Sequence, residues 1–240
     1  MTFEEIVHYR RSVRKYKDQP IDPEKVRHCL ELAVLAPTSS NMQLWEFYHV
    51  TDPGILKKLS YACMDQTAAS TAPQMVVFVT RRDLFRKRAR AVAKLQIDNV
   101  HRNSPPEKQP KRIRRFELYY GRVMPFLYSR FFGLLGLFRK LVAHSIGLFR
   151  PMTRFVSEAE VRVVVHKTCA LAAQTFMLAM AAEGYDTCAM EGLDGRRVKR
   201  ILKLPWRAEI NMIVSCGLRD EGGVWGDRTR VPFEEVYKRV

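Results

Sequence analysis

The sequence predicts an α+β or mixed α/β fold in a single domain spanning residues 1–240. Three observations carry this expectation. Helical and strand-like segments follow one another in the order helices, strand, helix, strand, basic insert, long helix, strand, helix, strand. Hydrophobic residues make up 47% of the chain, which at 240 residues is enough to bury a core and excludes wholesale disorder. No Gly-x-Gly-x-x-Gly follows the first strand and there is no P-loop, so a Rossmann or ATP-binding fold has no support.

The elements follow from local signals. Residues 2–11 read as a helix with a capping-box start at Thr2 and Glu5. Asp22-Pro23 opens a second helix, with Asp22 as N-cap, Val26, Leu30 and Val34 on one face, and a stop before Pro37. A polar loop, 38–41, leads into a strand at Trp45–Thr51. A helix from Asp52-Pro53 to about Cys63 follows, then a buried strand, Gln74–Thr80. Residues 83–101 and 111–122 read as helices either side of a Pro-rich break at Asn103–Pro110. Ser157 with Glu160 starts a long, Ala- and Met-rich helix at about 158–183 that ends at Gly184 and reads as central and buried. A short strand (Asp186–Met190), a short helix (Gly195–Leu202), a strong strand (Glu209–Cys216) and a tail, 217–240, that is Gly-rich, then basic, then extended complete the chain.

The formal net charge is +16, from 41 Lys and Arg against 25 Asp and Glu. Segment 81–150 holds 18 of the cations and 4 of the acids, so nearly all the excess lies there and the rest is close to neutral. Taken alone, such charge suggests nucleic acid or an anionic membrane surface. The five Cys are an odd number, widely spaced and without a CxxC, which argues against a disulfide framework or zinc ribbon and for a reducing compartment. The N-terminus has no apolar signal region, and no run of about 18 uninterrupted apolar residues indicates a spanning helix. A cytoplasmic location is the expectation.

Three separated clusters can carry chemistry. Arg10, Arg11, Ser12 and Arg14 close the first helix. Their guanidiniums suit a phosphate, although a solvated basic helix end is the simpler account of them alone. Residues 36–45, with Pro37, Thr38, Ser39 and Asn41, offer neutral donors and acceptors, or an ordinary turn. A strand ending in Ala189, Met190, Glu191 and Gly192 lets backbone amides approach a flat ligand, and Arg228 and Arg230 could add phosphate contacts or form a basic tail.

Together these motifs, in this order, resemble the nitroreductase family over roughly 1–80 and 157–240: Arg-Arg-Ser-x-Arg, Ala-Pro-Thr-Ser-x-Asn-x-Gln-x-Trp and Gly-x(6)-Glu-Gly. The resemblance implies a three-layer α+β sandwich around a mixed sheet of about five strands. It also implies a domain-swapped homodimer whose C-terminal segments reach across the partner, with FMN in two interface clefts. Arg10, Arg11, Ser12, Arg14, Arg228 and Arg230 would hold the FMN phosphate and ribityl chain. Pro37, Thr38, Ser39 and Asn41 would come from the other subunit to line the isoalloxazine. Ala189, Met190, Glu191 and Gly192 would sit beside the ring, a backbone N–H donating to flavin N5. Asp65 and Gln66 fall where the family often places a polar residue against the pyrimidine side. Leu44 and Ala189 replace Pro residues common in the family, with no polar contact removed. The implied chemistry is hydride transfer from NADH or NADPH to a nitroaromatic, quinone or similar acceptor in a ping-pong cycle. The flavin carries the reaction and no catalytic side chain is required, so His8, His28, His49 and His166 are read as structural or solvated. A relative with another flavin chemistry (reductive dehalogenation, flavin destruction or substrate oxidation) is the alternative, and a non-enzymatic basic binding protein is a third.

The insert, about 81–156, includes an apolar, aromatic run at 123–150 with Phe131, Phe132, Leu134, Leu135, Leu137, Phe138, Leu141 and Val142, flanked by Arg130, Arg139, Lys140 and Arg150. Three readings stand: a lid or dimer-covering helix pair packed on the body, an amphipathic segment on an anionic membrane surface giving access to a lipophilic acceptor, or a nucleic-acid contact. The last is not expected, because phosphate contacts do not need so dense an apolar run.

Overall fold

Thr2 and Ser157 each close a capping box: the hydroxyl accepts from the N–H of the Glu three residues on, whose carboxylate accepts from the cap's own N–H. These ends fix the first and longest main helices of the computed structural model, which describes residues 1–240. In chain order the elements are α1 (Phe3–Tyr9), α2 (Pro23–Ala33), β1 (Trp45–Val50), α3 (Pro53–Ala62), α4 (Thr67–Ser70), β2 (Gln74–Thr80), α5 (Phe85–Asn103), α6 (Gln109–Leu118), α7 (Met124–Tyr128), α8 (Leu134–Gly147), α9 (Glu158–Ala182), β3 (Asp186–Met190), α10 (Gly195–Ile201), β4 (Glu209–Gly217) and α11 (Phe233–Val236).

The strands form one sheet in the order β1-β2-β4-β3, every neighbouring pair antiparallel. β2 is buried along its whole length. Its side chains alternate between two cores, as the period of a strand requires. Met75, Val77 and Val79 pack with Leu59, Ala62, Ala68 and Val198 of α3, α4 and α10. Val76 and Phe78 pack with Val26, Cys29, Phe176 and Met180 of α2 and α9. The result is a three-layer sandwich. α9 is apolar and long enough to cross a membrane by composition, but ten of its residues are buried, many of them beneath the sheet. It ends where Gly184 takes φ +78°.

Several expectations need correction. The sheet has four strands rather than about five, and the only parallel pairing is the isolated Ser12–Thr187 bridge. The tail adds no strand, because Gly222 and Gly226 turn it at positive φ and the short α11 follows Pro232. The buried stripe of α2 is Val26, Cys29 and Ala33; Val34 is the C-cap and faces outward. The helix read at 83–101 is a 3-10 turn, Arg82–Leu84, followed by α5. The helix read at 111–122 starts at Gln109 and runs through a π-helical turn, Tyr119–Val123, into α7. Pro125, which has no N–H to donate, lies just beyond that wider turn.

The first part of the insert is not a detached appendage. Ala89, Val92, Tyr120, Met124 and Tyr128 build a third core with Met42, Leu44, Val161 and Val165. Leu44, the departure from the family motif, is thereby a packing residue. All five Cys are free and buried.

β4 is tied to α9 through Glu209, which accepts from His166 Nε2 at 3.1 Å and pairs with Arg162. His49 Nε2 lies 2.7 Å from Gln74 Oε1. The His166 hydrogen bond first, then Arg162 against the opposing cost of burial, hold Glu209 down to about 2. Its folded pKa lies below the ordinary value, so its stabilisation is complete above about pH 4.5 and is lost as the pH falls towards 2. Glu209→Gln should cost about 1–2 kcal/mol at neutral pH and flatten the acid limb of stability between pH 4.5 and 2, read by denaturant unfolding at several pH values.

Candidate functional site

The turn out of α1 and the C-terminal tail meet at a cavity of about 220 Å³ lined by Arg10, Arg11, Ser12, Arg14, Arg228 and Arg230, with Trp225, Asp227 and Thr229. Backbone bonds bring the two segments together. Val13 N–H donates to Thr187 O at 3.1 Å, and Arg14 N–H to Gly223 O at 2.7 Å. Arg11 Nη2 donates to Gly226 O at 2.8 Å, and the Arg14 guanidinium lies 4.7 Å from the centre of the Trp225 ring. Arg228 Nη2 donates to the carbonyls of Val7, His8 and Arg10, at the C-terminal end of α1 where the helix dipole favours a cation. Arg228 therefore also fastens the tail to α1, a positioning task its sequence position does not show.

None of the five arginines is in an ion pair. Burial, then the like charges of Arg228 and Arg230, push the Arg10 guanidinium below its ordinary value. Five arginines against the single carboxylate of Asp227 leave this cavity with an excess of positive charge, which a doubly charged anion such as a phosphate monoester matches.

A strip leads away from this cavity along the outer edge of β3. Ser12 bridges to Thr187, whose buried Oγ1 has no partner. Ala189 is exposed, and Glu191 and Gly192 are exposed past the strand end. Met190 differs: it is buried in the core with Met75 and Ile213, so its side chain is turned away from a ligand. The N–H groups of Glu191 and Gly192 have no acceptor within the chain. At about 3.3 Å per residue, Thr187 to Gly192 spans about 16 Å. Gln66 Nε2 donates to Gly192 O at 2.8 Å and to Cys63 O at 2.9 Å, which pins the strip's far end to the α3–α4 turn. Asp65 takes φ +47° and its Oδ1 accepts from Ser60 Oγ at 2.9 Å, so its carboxylate is engaged within that turn.

Pro37, Thr38, Ser39 and Asn41 lie elsewhere. Their loop leads into β1, and β1 and β3 are the two opposite edges of the sheet, three strand spacings or about 14 Å apart. Within one chain this loop is not part of the strip. Ser40, Asn41 and Gln43 all have positive φ, an unusual density for residues with a Cβ. Gln43 N–H donates to Thr38 Oγ1 and Gln43 Nε2 to Asn41 Oδ1. The insert clamps the loop: Tyr119 and Ser40 hydroxyls are 2.8 Å apart, and Tyr120 OH donates to Ser40 O at 3.0 Å. Both tyrosines sit on the π-helical turn, so α-helical periodicity gives no sign of their shared aim. Trp225 and Asp227, which immediately precede Arg228 and Arg230, were also missed.

The nitroreductase family matches residues 7–218. A curated relative, an NADH dehydrogenase of Thermus thermophilus, is 27% identical over 95% of this chain and 90% of its own. A nitroreductase family protein from Streptococcus pneumoniae superposes with a TM-score of 0.71 at 23% identity, covering all of both chains. A structure from Exiguobacterium sibiricum solved in complex with FMN superposes with a TM-score of 0.69 at 20% identity, covering 100% of this chain and 98% of that one.

The join between the two arginine segments is sterically tight. A Cβ on Gly223 would lie 2.5 Å from Lys15 O and 2.9 Å from Asp220 O. Gly223→Ala should lower stability by about 2–4 kcal/mol in denaturant unfolding and weaken phosphate binding, whereas Gly121→Ala, in open space and without a positive φ, should leave phosphate binding unchanged.

Proposed function

The chain belongs to the nitroreductase family, and on that premise we propose that it is an FMN-dependent oxidoreductase that works as a homodimer. It takes a hydride from NADH or NADPH and reduces nitroaromatic, quinone or similar small acceptors. For a quinone the overall reaction consumes one NAD(P)H and one proton and yields a hydroquinone and NAD(P)⁺.

The observation that carries this reading is the cavity of five arginines, none of them ion-paired, at the start of a strip with free amides at its far end. Arg10, Arg11, Arg14 and Arg230 would hold the FMN phosphate, with Arg228 fixing the tail and Ser12 beside the chain that follows. Glu191 and Gly192 would offer backbone donors to the ring's polar edge, and Gln66 keeps that turn in place. When bound, FMN supplies reversible two-electron redox chemistry, and no acid, base or nucleophile from the protein is needed.

The homodimer reading rests on the geometry of the edges. Ser39 and Asn41 are exposed on a shaped loop that its own chain's strip cannot use. Leu35 on the α2 side and Val163 and Leu171 on α9 present exposed apolar surface for a second copy to cover. The loop of one subunit then lines the cleft of the other.

The purified protein should be yellow, with an FMN spectrum that NADH or NADPH bleaches without oxygen. The double variant Arg10→Ala, Arg230→Ala should lose FMN affinity by about 100-fold or more while keeping its circular dichroism. Retained flavin in that variant would remove the phosphate assignment.

A further inference from the structure

The outer part of the insert is arranged against ordinary helix packing. In α8 the residues turned to the body are Gly136, Arg139 and Ala143, at spacings of three and four. Gly136 packs so closely on the start of α9 that a Cβ would lie 2.7 Å from Glu158 N. Arg139, only 4% exposed, donates to the carbonyls of Val156, Phe126 and Ser129. It therefore staples α7, α8 and the chain before α9 together and does not flank an apolar face as its sequence position suggests. The apolar residues look outward: Leu134, Leu137 and Leu141 are 58–62% exposed, Phe132 is 95% exposed and Phe149 is 89% exposed. Arg130 and Arg150 adjoin this surface at either end.

Behind α8 lies a cavity of about 610 Å³ with mostly apolar walls, among them Leu127, Phe138, Val156 and Val164. Ser39 and Ser40 also line it, so it meets the loop assigned above to the cleft of the second subunit. It is larger and more apolar than a compact nitroaromatic or quinone ring calls for.

We propose that the insert draws an acceptor with a long hydrocarbon tail from an anionic membrane surface: the outer face of α8 rests in the bilayer interface, and the cavity behind it takes the tail. The identity of the reducible head rests on the FMN reading; binding of the tail does not. Charge selects the occupant of the outer face. α8 holds no Asp or Glu and its outer face is bordered by the exposed Arg130 and Arg150, in a segment with 18 Lys and Arg against 4 Asp and Glu over 81–150, so an anionic lipid surface complements it, while a second copy of this face would bring these arginines together. Leucines and phenylalanines bordered by arginines suit an interface that is apolar on one side and anionic at its margin.

Two readouts on the full chain test this. The first is equilibrium dialysis against 2,3-dimethoxy-5-methylbenzoquinone with and without a ten-carbon alkyl chain. The tailed quinone should bind at least about 100-fold more tightly. Val164→Trp, which fills the cavity, and Met152→Trp, on its loop wall, should each remove most of that advantage and leave the tail-less compound unchanged. Equal loss for both quinones, or an advantage untouched by either variant, overturns the cavity assignment. The second is co-sedimentation with phosphatidylglycerol and phosphatidylcholine vesicles at low salt. The protein should prefer the former by about 10-fold or more, and Leu137→Glu with Leu141→Glu should abolish the binding. Absence of vesicle binding, or a double variant that only changes the oligomeric state, overturns the docking surface. The flavin absorbance of each sample reports cofactor loading separately, so a failure of the FMN reading is seen as such.

Discussion

Five arginines held around one small cavity without a carboxylate partner are the constraint from which the rest of the site follows. Mutual repulsion and burial both oppose the arrangement, and Arg10 registers the strain as a lowered proton affinity. The fold maintains it by tying two segments far apart in sequence to the same edge of β3. Arg228 closes the C-terminal end of α1, Arg14 stacks on Trp225, and the Gly223 carbonyl accepts from Arg14. The backbone and aromatic contacts thus oppose the repulsion, and an anion relieves it.

The sheet decides what one chain can and cannot complete. Its antiparallel order places the arginine-to-Gly192 strip on one edge and the Ser39–Asn41 loop on the other. Strand spacing alone keeps them apart. The loop nevertheless keeps three residues at positive φ and is clamped by Tyr119 and Tyr120. A conformation this unfavourable, held by an insert that shares a core with the body, fits a surface shaped for a partner's cleft.

Local signals were legible in the sequence wherever a single residue type has one physical use. Thr2 and Ser157 with their glutamates, Asp22-Pro23 and the unbroken apolar run of β2 all appear where their chemistry places them. The arginine cluster and the Glu191–Gly192 end were legible as motifs, but their junction was not, because Ser12 reaches Thr187 only through the folded sheet. What escaped depends on packing. Val34 turned outward because the buried stripe of α2 includes Cys29 and Ala33. Met190 turned inward because strand alternation sends it to the core. Arg139 flanks the apolar run in sequence, yet it is the buried staple of α8, because its Nε and Nη1 donate to three carbonyls from other segments. The π-helical turn has no pattern in a single sequence.

The account turns on the arginine cavity recognising a phosphate, so the most direct measurement compares FMN with riboflavin, which carries the same ring and ribityl chain without the phosphate. Isothermal titration of the flavin-stripped protein should show FMN binding about 100-fold or more tighter than riboflavin, with the difference shrinking as salt rises. Equal affinities for the two would contradict the account.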